Sequence, residues 1–351
     1  MHTNEPEDIQ KKMNLIILEV LKKNSDENNK LSNKEIEDYI RDDYPVTVDR
    51  HTVKRNLKRL YDCGIGVERV VKNESLGEQG GWLWYFERDI TDGEMRMLID
   101  GLLFSKYIPY SECAELIEKL ENLCSLNFRT SSHCLPKNRP ENKMIFLNIE
   151  DLMQAMTAKR KVSFNYQRNK IDEKTYKLVK YEVLNDDGTM RRYEVSPVEI
   201  VITNGHYYLV AIFDKGENLY HFRLNNICNL DILHSEKCRK IQDIPMYSKG
   251  FKLDAYMKER PYMLASGKSV RVVFRLFSFM IDQVLDWFGK DVSFKDDPGA
   301  AEDTIKAEVI VNEKAMLYWA MQYGHFIEVL EPKDLRDEIR NTIDVMAKKY
   351  V

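Results

Sequence analysis

The chain has 351 residues, 43% hydrophobic and 31% charged, with a formal net charge of −4. At roughly 150 residues per domain this length predicts two or three domains, and the composition excludes a disordered or fibrous chain. No apolar run approaches the roughly 18 residues of a membrane helix, residues 1–8 do not read as a secretory signal, and the six cysteines (Cys63, Cys113, Cys124, Cys134, Cys228, Cys238) contain no CxxC pair, so the expectation is free thiols in a reducing cytoplasm, with no membrane, zinc or cofactor.

The first element is a helix, because Ile9, Met13, Ile16, Ile17, Val20 and Leu21 recur at helical spacing. Ser32 and Glu35 form a capping-box pattern that opens a second helix with the stripe Ile36, Tyr39, Ile40, ending before Pro45. Asp49 is placed to cap a third helix whose buried face carries Val53, Leu57, Leu60 and Tyr61. Arg50, His51, Lys54, Arg55 and Lys58 project from the other side or its flank, as does Arg59. Two strands follow, 67–71 and 82–86, with Lys72 just past the first. Between residues 48 and 72 seven Lys/Arg face three acids, a local surplus of +4. Three helices, a hairpin and cations gathered on the third helix outline a winged helix-turn-helix over residues 1–90, with Arg50, His51, Lys54, Arg55, Lys58 and Lys72 as candidate contacts to double-stranded DNA.

A second capping-box pattern, Thr91 to Glu94, opens a helical linker over 91–143. Its stripes, Met95, Leu98, Ile99, Leu102 and then Leu116, Leu120, Leu123, are more apolar than a linker requires and suggest a dimer contact. The stretch 133–143, with Pro136 and Pro140, reads as a connecting segment. Residues 144–236 read as a short helix (149–158) and strands at 162–166, 176–184, 192–195, 199–203, 207–213, 219–224 and 227–233. Asp187-Gly188, Asn204-Gly205 and Lys215-Gly216 mark turns, so a small barrel is expected. Residues 155–195 form a second basic island, ten bases against six acids, again +4. The last domain, 237–351, alternates strand 269–277, helix 279–288, strands 291–295 and 304–311, helix 313–323, strand 327–330 and helix 333–349. That order resembles a split βαβ, ferredoxin-like α/β domain. The fold class expected is α+β, with several domains.

Catalytic and nucleotide motifs fail on spacing. Ala265-Ser-Gly-Lys-Ser269 has the ending of a phosphate-binding loop, but Tyr262 stands where its first glycine belongs and a strand follows. Gly64-Ile-Gly66 lacks the third glycine of a dinucleotide fingerprint, Arg69 being there. No HExxH, no GxSxG and no carboxylate pair stands out, so neither catalytic residues nor metal ligands are assigned and an enzyme is not expected.

Several runs together resemble one family. Gly205-His206-Tyr207-Tyr208-Leu209-Val210-Ala211 resembles a Trp-Tyr-Leu signature with Tyr207 in the tryptophan's place. It is flanked by Val162-Ser-Phe-Asn-Tyr166, Arg192-Tyr-Glu-Val-Ser-Pro197 and His221-Phe-Arg223-Leu-Asn-Asn-Ile227. With the helix Asp49 to Leu60 and the run Trp319 to Pro332, the chain resembles the WYL-domain family of bacterial transcriptional regulators from about residue 9 to 350. It departs at Tyr207 and at Asn226, where the family has a second arginine. The resemblance implies an Sm-like β-barrel that senses a nucleotide or a single-stranded DNA or RNA effector. On it, Arg192, His221 and Arg223 would fork onto phosphate or base edges, while Tyr166, Tyr207 or Tyr208 would stack on a base. Strand alternation sends Leu209 and one of Tyr207 and Tyr208 into the barrel.

The reading is a cytoplasmic homodimer that binds a palindromic operator and responds to an effector. The alternative is an accessory nucleic-acid-binding module of a bacterial CRISPR or phage-defence system, and a third class, an enzyme acting on nucleic acid, lacks an identifiable constellation.

Overall fold

The computed structural model describes residues 12–44, 46, 48–105, 108–128, 144–263, 267–298 and 303–350. Ile9, Pro45, Cys134, Ala265 and the connecting segment 133–143 lie outside the described residues. Contacts divide the chain into two units, Met1–Glu141 and Asn142–Val351.

In the first unit, α1 (Met13–Asn24), α2 (Asn33–Asp43) and α3 (Arg50–Asp62) enclose a core of Ile17, Leu21, Ile36, Ile40, Val53 and Leu57, onto which Trp84 packs. The hairpin forms where expected, β2 (Val67–Val71) pairing with β3 (Trp82–Phe86). A third strand that the periodicity did not announce, β1 (Leu31–Ser32), pairs antiparallel with β3, Leu31 opposite Trp84. It is two residues long and shares Ser32 with the capping box, in which Glu35 N–H donates to the Ser32 hydroxyl and Ser32 N–H to the Glu35 carboxylate. The Trp84 indole N–H donates to Asn33 Oδ1 at 2.8 Å, which fixes the hairpin on the start of α2.

The linker helices are α4 (Asp92–Phe104), opened by the expected Thr91–Glu94 box, and α5 (Tyr110–Glu121). Three apolar expectations are corrected. Tyr39 is exposed on α2, and Leu98 and Leu123 are exposed as well. On α5 the buried pair is Cys113 and Ile117, with Leu116 and Leu120 only half-buried. The core face is thus rotated about one residue forward from the leucine stripe. Asp26 ties the loop after α1 to the chain after α5. Burial pushes its carboxyl up, but hydrogen bonds from Ser125 (2.7 Å), Asn127 (2.9 Å) and Asn29 outweigh this and hold its pKa at about 2.

In the second unit, α6 (Ile145–Ala158) precedes six antiparallel strands: β4 (Arg160–Ile171), β5 (Leu178–Glu182), β6 (Arg192–Thr203), β7 (His206–Ile212), β8 (Tyr220–Arg223) and β9 (Ile227–Lys237). The order is β5-β4-β6-β7-β8, with β9 pairing on β4, so the sheet curls over Phe164, Tyr193, Leu209, Phe222 and Leu224. The two strands expected at 192–195 and 199–203 are one, β6, irregular between Pro197 and Glu199, where proline cannot donate to the ladder. Asn204 and Gly205 both take positive φ in the β6–β7 turn, as a two-residue hairpin requires.

Residues 241–263, including α7 (Leu253–Lys258), carried no expectation. Here Ile244, Tyr256 and Met263 cover the other face of β7, packing on Tyr208, Val210 and Ile212. Beyond them lie β10 (Ser269–Phe277), α8 (Ile281–Phe288), β11 (Ser293–Asp296), β12 (Thr304–Asn312), α9 (Glu313–Tyr323), β13 (Ile327–Glu331) and α10 (Lys333–Ala347). The sheet order is β11-β12-β10-β13, antiparallel throughout. Val272, Phe274 and Leu276 alternate onto the three helices around a fully buried Trp319. Arg271 and Arg275, on the other face, form ion pairs with Glu308, Glu331, Asp297 and Glu328. Among the described residues no helix is long and apolar enough to cross a membrane.

Candidate nucleic-acid interface and effector face

The cationic helix is fixed at its start by Asp49. Its carboxylate accepts N–H bonds from His51 (2.8 Å) and Thr52 (2.9 Å) and the Thr52 hydroxyl at 2.7 Å. These bonds, the hydroxyl foremost, hold its pKa below the ordinary value. Val53, Leu57 and Leu60 bury the inner face. Asn56, which the sequence did not mark, is buried with them, because its amide donates to the Thr52 carbonyl at 2.9 Å. This anchoring turns Arg50, His51, Lys54, Arg55, Lys58 and Arg59 outward, and all six are exposed. Among the described residues Arg50, Lys54, Arg55 and Lys58 form no ion pair.

Lys72 is exposed past β2. Its charge helps to keep the Glu35 carboxylate's pKa down, behind the larger effect of the hydrogen bonds with Ser32. Arg69 is the exception in this island. Its guanidinium lies over Trp82 at 3.9 Å and Tyr61 at 4.5 Å, as part of the hairpin's packing.

On the curled sheet, β7 and β8 set Tyr208 opposite Arg223, Leu209 opposite Phe222 and Val210 opposite His221. Alternation therefore puts Tyr208, His221 and Arg223 on one face, and Leu209 and Phe222 on the enclosed core side, where Tyr207 also packs half-buried. Arg223 is exposed; its Nε–H donates to the Tyr208 hydroxyl at 3.2 Å, and its backbone N–H to the Tyr166 hydroxyl at 3.1 Å. Asn226, where a second arginine was expected, donates to that same Tyr166 hydroxyl at 3.4 Å. Tyr166, Arg223 and Tyr208 are thus brought together. Arg223 forms no ion pair among the described residues, with Glu194 and Glu199 or otherwise.

Two other expected effector contacts are engaged by protein groups. Arg192 donates to Asn165 Oδ1 (3.1 Å), the Asn229 carbonyl (2.9 Å) and the Ser163 hydroxyl (2.9 Å), and pairs with Asp231, so it fastens β9 and β6 to β4. His221 Nε2 lies 2.7 Å from the Tyr256 hydroxyl and Nδ1 lies 2.9 Å from the Met263 carbonyl. A carbonyl only accepts, so Nδ1 carries the proton and Nε2 accepts from Tyr256. Burial lowers the imidazole pKa to about 4; the Met263 bond opposes this and the Arg260 cation adds to it. His221 is therefore neutral near pH 7 and supplies no cation to a phosphate.

Family models match residues 148–232 as a WYL domain and residues 268–347 as a WCX domain. The chain thus contains a WYL domain and a WCX domain. All six candidate effector residues fall inside the WYL domain, and α3 lies outside both matches. The chain is 30% identical over 159 residues to the uncharacterized HTH-type transcriptional regulator YobV of Bacillus subtilis, a match that spans 45% of this chain and just under half, 46%, of that protein. Two solved structures resemble it more distantly. Proteasome accessory factor B/C of Arthrobacter aurescens is 16% identical with a TM-score of 0.27, over 94% of this chain and 46% of that one. A CRISPR Cas-related protein is 14% identical with a TM-score of 0.35, over 100% of this chain and 87% of that one. Neither likeness bears on the function of this chain.

Proposed function

We propose that this chain is a DNA-binding transcriptional regulator, homodimeric and cytoplasmic, whose WYL domain senses a nucleotide or a single-stranded nucleic acid. The observation that carries it is α3, a capped helix whose apolar stripe is buried while its exposed cations lack ion-pair partners among the described residues. Cations held out by a rigid helix are free to displace counterions from a duplex. The relative named as an HTH-type regulator supports the same reading. The protein acts by binding and is assigned no catalytic group, cofactor or metal.

The domains proposed are a winged helix-turn-helix at 1–90, a helical linker at 91–143, the effector-sensing WYL domain at 144–236 and the C-terminal extension at 237–351. Pairing of β9 back onto β4 supports an Sm-like barrel for the third. The order β11-β12-β10-β13 supports a ferredoxin-like fold for the fourth. Met97, Phe104 and Leu123, more than 60% exposed in the linker region, support a dimer contact. Light scattering of the full chain should then return the mass of two chains; the mass of one would contradict it.

Within the WYL domain the effector contact is Arg223. An exposed guanidinium without a carboxylate partner can fork onto a phosphate, with Tyr208 and Tyr166 beside it. Selection of duplexes from a random pool, with and without single-stranded oligonucleotides, tests the function. Enrichment of a two-fold symmetric sequence, altered by the oligonucleotide in the wild type and unaltered in Arg223→Ala, is expected. Binding to single strands with no duplex selectivity would contradict it and favour the accessory defence module.

A further inference from the structure

The segment joining the two matched domains lines a cavity of about 890 Å³ in the second unit, within the size range of small-molecule sites. One wall is aromatic: Tyr247, Phe251 and Tyr256 form a cluster with ring centroids 5.2 to 6.3 Å apart. The rim is basic, Lys249, Lys252 and Lys268 lining it together with Arg260 against Glu217 and Glu259. Arg260 is the telling residue. It is only 8% exposed, yet among the described residues its guanidinium has Glu259 alone at 3.5 Å as a carboxylate partner and its Nε–H has no acceptor, and it lies 4.2 Å over the Tyr256 ring. Glu259 is shared besides with the Ser269 hydroxyl. A buried guanidinium with an open donor is costly unless an acceptor completes its shell. Lys268 and Ser269 belong to the Gly-Lys-Ser run that failed as a phosphate-binding loop, and here that run edges the cavity ahead of a strand.

We propose that this cavity binds a mononucleotide, its base against the half-buried Tyr247 and Phe251 rings and its phosphate on Arg260, Lys252 and Lys268. The rings offer a face on which any base can stack, and a guanidinium fork with two ammonium groups is the donor set a phosphate requires. A molecule that carries both a ring and a phosphate engages both walls at once. Arg223 is not among the residues lining the cavity, and the inference does not rest on DNA binding.

Calorimetry on the full chain, without DNA, tests it. The probes are AMP, GMP, CMP and UMP, the four matching nucleosides, and inorganic pyrophosphate. At least one mononucleotide should bind at least about tenfold more tightly than its nucleoside or pyrophosphate. Lys252→Ala with Lys268→Ala changes two exposed side chains; it should weaken that binding about fivefold or more with an unchanged melt, whereas Arg223→Ala should leave it intact. Arg260→Ala should remove it, and Arg260→Lys, which keeps the charge and loses the fork, should restore it only in part. No binding of any mononucleotide at millimolar concentration overturns the proposal. So does loss in Arg223→Ala with retention in the lysine pair, or a nucleoside or pyrophosphate binding as tightly as the nucleotide.

Discussion

Residues 48–72 and 155–195 carry the same surplus, +4, and the fold treats them differently. In the first, a capped helix turns Arg50, Lys54, Arg55 and Lys58 to solvent with no ion-pair partner among the described residues, and Arg69 alone is drawn into packing. In the second, Lys161 is held by Asp214 (2.6 Å) and Glu236 (2.8 Å), Arg192 by Asp231 and three other groups, and Arg191 lies over Tyr193, while Lys159, Arg168, Lys170, Lys174, Lys177 and Lys180 stay exposed with no ion pair among the described residues. Net charge along the sequence therefore does not locate a binding face. What does is whether the surrounding fold brings acceptors to the cations. By that criterion Arg223 stays open although it lies outside the second island, as does Arg168 within it; both are exposed and form no ion pair among the described residues.

Three changes sharpen this contrast. The largest effect belongs to His221, held between Tyr256 and the Met263 carbonyl. Its folded pKa, about 4, lies below its ordinary 6.5, so between these values the unfolded chain binds a proton that the folded chain refuses. Stability is then complete above about pH 6.5 and falls as pH drops toward 4, by about 3 kcal/mol. His221→Gln should flatten this part of the melting-temperature profile; an equally steep profile in the variant would place the titration elsewhere.

Next is Arg192→Ala, which removes the fastening of β4, β6 and β9. It should lower stability by roughly 2 kcal/mol in a urea titration, while Arg223→Ala on the same sheet should change it by less than about 0.5 kcal/mol. Equal losses would erase the distinction between engaged and free arginines. The smallest is Arg69→Ala, the packed cation of the first island. Losing its contacts with Trp82 and Tyr61 should cost about 1 kcal/mol of stability and leave duplex affinity nearly unchanged. A large loss of affinity without a change in the melt would instead make Arg69 a DNA contact.

Much of the framework could be read from the sequence because the signals were local. The Ser32–Glu35 and Thr91–Glu94 boxes, the Asp49 cap, strand 269–277 and helix 313–323 all form as the residues imply. Where the decisive partner is distant, the sequence is silent. Arg192 and Arg223 look alike in their strands until β9 brings Asp231 to one of them. His221 reads as a ligand until residues 256 and 263 close over it. The two-residue β1 is too short for a period, and residues 241–263 mix short turns whose apolar residues follow no single repeat. Arg260 carries no local mark, since its significance lies in being buried with few partners.

The central claim is that the exposed cations of α3 read duplex DNA. Fluorescence anisotropy with the selected duplex, comparing the wild type with Lys54→Ala/Arg55→Ala at equal melting temperature, tests it most directly. Because base contacts are worth about 1–3 kcal/mol each, affinity should fall at least about tenfold and its salt dependence should become shallower. Unchanged affinity and salt dependence in a folded double variant would contradict the account.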